Sequence, residues 1–237
     1  QYNGALYNVD GLGVFSTDDN RDWVQGGAGD SWTHPNLHKG GYGYITLIHE
    51  IGHGMGLAHP HDNGGSSEVM HGVEEPFGDY GDFNLNQGIN TTMSYNDGWQ
   101  TAGHVDPRAP GESTFGFGWQ GSLMALDIAV LQEKYGANTG FRTGNDTYVL
   151  PDTNASGTYY SSIWDAGGRD TIIHNGSSKA VIDLRAATLN YSSTGGGPVS
   201  YANGIYGGFT IANGAVIENA TGGKGNDKLI GNGVANV

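Results

Sequence analysis

The chain has 237 residues, enough for one large domain or two small ones. Its 10 Lys plus Arg stand against 24 Asp plus Glu, a formal net charge of −14. That balance excludes a nucleic-acid binder built on clustered cations and a cationic membrane-surface protein.

Apolar runs are only a few residues long, so no insertion into a membrane is expected. The opening QYNGALYNVDG lacks the basic-then-apolar pattern of a signal peptide. Disorder fits poorly, because aromatics reach 11% while charged residues reach only 14%. With no cysteine, neither disulfides nor thiolate metal sites can hold the fold. The 43 glycines lack collagen spacing and must serve turns or close backbone approaches. An acidic, Gly-rich, Cys-free chain points to calcium, which takes carboxylate and carbonyl oxygens.

Residues 1–43 read as short β-like pieces, at 13–16 and 31–33, between Gly/Asp/Asn turns. A helix is expected over 44–55. Residues 60–121, rich in Gly, Asn, Asp and Pro, read as long loops of the kind that carry function. A second helix is expected over 122–135, with Leu123, Leu126, Ile128, Val130 and Leu131 on its core stripe and Gly136 as C-cap. Beyond it, strand signals recur at 147–150, 170–173, 180–184 and 209–211. The helical and the all-β parts divide near 136–142, giving units of 1–136 and 137–237 and an α+β fold class.

The informative segment is HEIGHGMGLAHP, residues 49–60. At about 100° per residue, Leu47, Ile48, Ile51 and Met55 share one helix face, while His49 and His53 share the opposite one, a turn apart. Glu50 lies beside the His pair, placed as a base next to a metal-activated water rather than as a ligand. Gly54 and Gly56 weaken the helix, and a left-handed Gly56 lets the chain bring His59 back as a third nitrogen. Three neutral imidazoles with one open position is the arrangement of catalytic zinc.

HExxHxxGxxH followed by a methionine turn, here Thr92-Met93-Ser94-Tyr95, resembles the metzincin zinc peptidases. With the MSY string and the YGAN after the second helix, the chain is similar to the serralysins, secreted bacterial calcium-dependent endopeptidases. The resemblance implies a metzincin-like peptidase domain followed by the start of a parallel β-roll. It implies Met93 as an apolar floor under zinc, and Tyr95 as a switchable ligand that moves off the metal to stabilise the oxyanion. Serralysins extend further at both ends, so a longer precursor is expected.

Residues 222–230, GGKGNDKLI, fit the GGxGxDxUx repeat of calcium-binding β-rolls at every specified position, with Leu229 expected to point inward. The serralysin match adds Asp165, Gly167, Gly168 and Asp170, then Val216 and Glu218, as calcium positions beside Gly223, Gly225 and Asp227. By the same match Arg142, through its carbonyl, Gly144 and Asp146 contribute further.

The reading is a secreted, extracellular bacterial endopeptidase with one zinc and several calcium ions. His49, His53 and His59 hold the zinc, Tyr95 joins them, and Glu50 is the general base. Its partners are protein or peptide substrates, segments of its own precursor and a proteinaceous inhibitor. The rival is a non-catalytic calcium-binding surface or matrix module with a structural zinc site. Glu50 separates the two, because a structural site needs no adjacent base.

Overall fold

The structure, a computed structural model, describes residues 35–63, 67–98, 101–106 and 116–237. The β-like pieces expected at 13–16 and 31–33 lie outside the described residues. Among the described residues, two α-helices and eight strands follow one another in chain order: α1 (Tyr42–Gly54), α2 (Ala125–Tyr135), β1 (Thr147–Val149), β2 (Tyr160–Ile163), β3 (Thr171–Ile173), β4 (Ala180–Asp183), β5 (Ser200–Ala202), β6 (Gly208–Ile211), β7 (Asn219–Thr221) and β8 (Lys228–Ile230). No described helix is long and apolar enough to cross a membrane.

The β part is a stack of rungs. One three-stranded sheet, in the order β1-β3-β7, is wholly parallel, with Thr147, Thr171 and Asn219 in register. A five-stranded sheet runs β2-β6-β5-β4-β8, with parallel β2/β6 and β4/β8 pairs and antiparallel β6/β5 and β5/β4 pairs. The segment β3-turn-β4 therefore lies directly beside β7-turn-β8. Ile172, Ile182, Ile211 and Ile217 fill the interior between the sheets and are buried. Their β-branched side chains suit stacked pleats.

Leu229 stands in register with the buried Ile182 and so shares its inward face, as expected, yet it is 49% exposed because β8 is the edge strand and pairs on one side only, with β4. The core stripe expected of α2 is corrected. Val130 is exposed, and the buried positions at the helix start are Met124, Ala125 and Asp127. Helix α1 departs in the same way, since Ile51 is 49% exposed while Gly43, Ile45 and Gly52 face inward. Small residues, Gly43, Gly52 and Ala125, thus share the buried faces with Ile45 and Met124.

Three links fix α1. At its entry, Trp119 N–H donates to the Gly40 carbonyl, and the same tryptophan's carbonyl accepts from Tyr160 N–H of β2. At its exit, Lys134 Nζ and Tyr135 Oη of α2 both donate to the Met55 carbonyl, at 3.1 and 2.9 Å. Carbonyls in the last turn of a helix have no intrahelical partner, and a cation there also suits the helix dipole. Tyr135 belongs to the YGAN string, so its contact gives that tyrosine a physical task.

Candidate metal centre

Helix α1 carries His49 and His53 one turn apart. The chain then reverses through Gly56, whose φ of 86° is left-handed as the sequence required, and His59 returns to meet them. His59 Nε2 stands 3.1 Å from His49 Nε2 and 3.0 Å from His53 Nε2.

Each Nδ1 faces an acceptor. His49 Nδ1 is 2.8 Å from the Thr92 carbonyl, His53 Nδ1 2.9 Å from the Leu57 carbonyl, and His59 Nδ1 2.6 Å from Asp62 Oδ2. Carbonyls only accept, and the Asp62 carboxyl is held below its usual range mainly by its hydrogen bond to His59, so it accepts too. The protons therefore sit on Nδ1, and three Nε2 lone pairs converge with no hydrogen between them. Nitrogens about 2.0–2.1 Å from a tetrahedral zinc stand roughly 3.3 Å apart, close to the spacing found. Burial pushes His49 and His59 below the ordinary imidazole value, which also keeps them neutral. The donor set fits a zinc ion.

Met93 is 2% exposed and packs under α1, where a β-carbon on Gly52 would stand 2.8 Å from its Sδ. The turn bearing it is clamped by Asp127 of α2, a residue the sequence reading passed over. This buried carboxylate accepts from Thr91 Oγ, Thr92 N–H, Thr92 Oγ and Met124 N–H at 2.5–2.9 Å. Burial pushes Asp127 up, and these four donors oppose the shift. Since the Thr92 carbonyl receives His49 Nδ1–H, the clamp acts on the orientation of that imidazole.

Tyr95 is half-exposed, with its ring centroid 4.6 Å from that of His59 and 5.8 Å from that of His49. Burial, then Asp62 and Glu50, push its phenol up, so it stays protonated. His61, also missed, stacks on His59 and touches Tyr95 at 4.8 Å. Glu50 is exposed and borders the same cavity as His49 and Tyr95.

In the roll, Asp146, Asp165 and Asp170 bring carboxylate oxygens within 4.8 Å of one another. They join a ladder at the strand entries, where Asp146 N–H donates to Asp170 Oδ1 and Asp170 N–H to Glu218 Oε2, both at 2.7 Å. Asp170 is 0% exposed and its Oδ2 has no partner. Burial and then its neighbours Asp165, Glu218 and Asp146 push its carboxyl up, against the hydrogen bond from Asp146 N–H. Gly168 lies against the Gly144 carbonyl. The Arg142 carbonyl accepts from Ala166 N–H, while its guanidinium reaches Asp146. Gly167 donates its N–H to Asp165 Oδ1.

The GGxGxD turn forms a second group. Asp227 accepts from Gly223 N–H and from Ala180 N–H of the neighbouring rung, and a β-carbon on Gly225 would stand 2.3 Å from the Ser178 carbonyl. This turn and the Asp146/Asp165/Asp170 cluster sit at different ends of the rungs. Val216 is exposed.

Two imidazoles on α1, a third returned beside them, a buried methionine turn and a stack of rungs make up a candidate metal centre and its support. The relationships of the chain agree. Residues 131–236 match the family model "Peptidase M10 serralysin C terminal". The chain is 36% identical over 211 residues to a serralysin of Proteus mirabilis, covering 84% of this chain and 37% of that protein. It is 35% identical over 221 residues both to metallopeptidase AprA of Pseudomonas marginalis and to serralysin C of Dickeya chrysanthemi, covering 86% of this chain and 40% of each. The chain is a serralysin-type sequence and spans about two fifths of the length of these curated relatives.

Proposed function

We propose that the chain carries the peptide-hydrolysing centre of a secreted, zinc-dependent serralysin-type endopeptidase. On this reading residues up to 136 belong to a metzincin-like peptidase part, and residues from 137 form a calcium-stabilised roll. The observation that carries it is the convergence of three Nδ1-protonated imidazoles, on His49, His53 and His59, beside the exposed carboxylate of Glu50.

When bound, zinc supplies Lewis acidity toward a peptide carbonyl and toward water. Thr92, Leu57 and Asp62 hold the three rings in the tautomer that leaves Nε2 free. Glu50 takes the proton of the attacking water and passes it to the leaving amine. The protonated Tyr95 donates to the oxygen that gains charge at the scissile carbonyl. Met93 keeps the underside of the centre apolar. In the roll, Asp146, Asp165, Asp170 and Glu218 would hold calcium, with a further ion at the turn of Gly223, Gly225 and Asp227. Protein substrates fit the relatives' names as metallopeptidases and metalloproteases, and an extracellular setting is part of the same proposal.

Glu50→Ala tests the reading. Zinc content should stay near about one per chain while hydrolysis of a protein substrate falls by about a hundredfold or more. His53→Ala should lose the metal itself. Near-normal hydrolysis by Glu50→Ala would overturn the mechanism.

A further inference from the structure

A second surface adjoins the metal centre without belonging to the cavity beside it. The carbonyl of Pro60, next to His59, accepts from Met70 N–H at 2.8 Å, and His71 follows. The His71 ring lies 5.1 Å from that of Tyr191, and Phe83 meets Tyr191 edge-on at 5.0 Å. Tyr191 is 58% exposed and Phe83 47%, and Leu189, on the same loop as Tyr191, is exposed too. None of the four lines the cavity that His49 and Tyr95 border.

These side chains are exposed at a conformational cost. Phe83 and Leu189 both hold left-handed backbone, with φ of 58° and 57°, which is unfavourable for residues of this bulk. Burial offsets none of it. The surface is also held in place. Leu189 N–H donates to the Gly195 carbonyl, Thr188 N–H to that of Thr194, and the Tyr191 phenol to the Asp82 carboxylate. Gly195 packs on the peptidase part, where a β-carbon would stand 3.3 Å from Leu85 Cδ1. Fixed aromatic rings open to solvent mark a recognition surface.

The surrounding charge says what it recognises. Between Lys39 and Arg108 the chain has no Lys or Arg, against nine Asp and Glu. Asp79 accepts from the N–H groups of Glu74, Glu75 and Gly81, which keeps both glutamates beside the Asp82-Phe83 turn. On the roll side, Arg185 is the sole cation of residues 184–199 and is paired with Asp183 at 2.6 Å. A cation is attracted both by this field and by the face of an aromatic ring.

Resting on the peptidase reading for its purpose, we propose that Tyr191, Phe83 and His71 form a docking platform, apart from the metal centre, for a basic segment of a protein substrate. Arg and Lys side chains of that segment lie over the Tyr191 and Phe83 rings, Arg preferred because its planar guanidinium stacks. Leu189 covers their aliphatic stems, and Glu74 and Glu75 balance their charge.

The test reads binding apart from cleavage. Labelled peptides of Gly alternating with Arg, Lys, Gln or Glu are titrated into the zinc-loaded full chain carrying Glu50→Ala and followed by fluorescence anisotropy. The expected order is Arg, Lys, then Gln, with no binding of the Glu peptide. Arg binding should weaken as salt rises from about 0.01 to 0.15 M. Tyr191→Leu and Phe83→Leu keep apolar bulk but remove a ring face. Each should weaken the Arg peptide by about two- to fivefold, with Tm measured to show that the fold persists. Glu74→Gln with Glu75→Gln, which leaves the rings alone, should weaken it by about twofold. On the chain with Glu50 intact, a substrate with a basic tail should be cut with a lower KM than its Gln-tailed counterpart, and Tyr191→Leu should remove that difference.

Equal binding of the Gln and Arg peptides would overturn the inference. So would Arg binding that survives the two Leu variants and the double Gln variant. A KM advantage of the basic tail that persists in Tyr191→Leu would overturn it while leaving the peptidase reading standing. Arg binding that the variants weaken, with no cleavage of any substrate by the chain with Glu50 intact, would support the platform and sink the peptidase reading instead.

Discussion

At the scale of single residues, the side chains around the triad matter as much as the triad. Asp62 holds His59 Nδ1 at 2.6 Å and so presents Nε2 to the metal. Carboxylates that orient a metal-bound histidine are worth about 10- to 100-fold in metal affinity. Asp62→Ala should therefore weaken zinc binding by that factor, with hydrolysis recovered at higher zinc, as competition with a chromogenic chelator would show. An unchanged zinc affinity would make Asp62 a mere surface acid. The three histidines and Glu50 were legible in the sequence because the helical period and a single left-handed glycine bring them together locally. Asp62 was within reach of the same argument, three residues after His59. Trp119, which also borders the cavity, was not, since it reaches the site only through pairing of residues 118–121 with Gly40 and Tyr160.

At the scale of elements, the methionine turn, α2 and the loop of residues 101–106 show how sites are held by contacts distant in sequence. Asp127 is the joint between α2 and the turn, and its four donors need an acceptor at both oxygens. Asp127→Ala leaves all four donors without their acceptor. The cost should be about 3 kcal/mol, lowering Tm by roughly 6 to 12 °C in a chain of this size. Zinc affinity should fall as well, because Thr92 positions His49; calorimetry with and without zinc reads both effects. No sequence pattern marked this residue, since an Asp in the first turn of a helix reads as ordinary capping.

His104 offers a second joint. It is buried, its Nδ1–H donates to the Ala102 carbonyl, its Nε2 accepts from Tyr160 Oη, and its ring stacks on Tyr201 at 4.1 Å. Burial pushes its pKa below the ordinary 6.5, with the Ala102 contact opposing. The unfolded chain therefore binds the proton more readily than the folded one. Stability from this group is complete above about pH 6.5 and declines as the pH falls through the lower folded value. Tm measured from pH 7.5 down to 5 should fall, and His104→Gln should flatten part of that slope. An identical slope in the variant would remove His104 from the account.

At the scale of the whole molecule, the strands with β-branched cores, β1, β3, β4 and β6, could be read from sequence. Strand β8 was legible in another way, from the GGxGxD repeat that leads into it. Strands β2, β5 and β7 were not: rich in Ser, Ala, Asn and Thr, they take their strand character from the rung stacked beside them. Stacking of this kind places carboxylates from successive rungs on top of one another. Asp146, Asp170 and Glu218 stand at the entries of β1, β3 and β7, and each of the last two carboxylates accepts the N–H of the rung before or after it. Without a cation, like charges crowd around the buried Asp170, and the turns rest on a glycine backbone that loses much entropy on ordering. On the proposed reading, calcium would draw the same oxygens onto one positive charge and staple a chain that has no disulfide. Calcium removal, with zinc kept in the buffer, should therefore loosen residues from about 142 onward before the imidazole centre is lost. Each site held a hundredfold above its Kd adds about 2.7 kcal/mol, or roughly 5 to 11 °C in Tm. Thermal unfolding followed by far-ultraviolet circular dichroism, in millimolar calcium and in calcium-free buffer, reads this directly. Asp170→Ala should reproduce the calcium-free curve and respond little to added calcium. A Tm independent of calcium in the unaltered chain would sink the staple and leave the roll held by its isoleucine core alone.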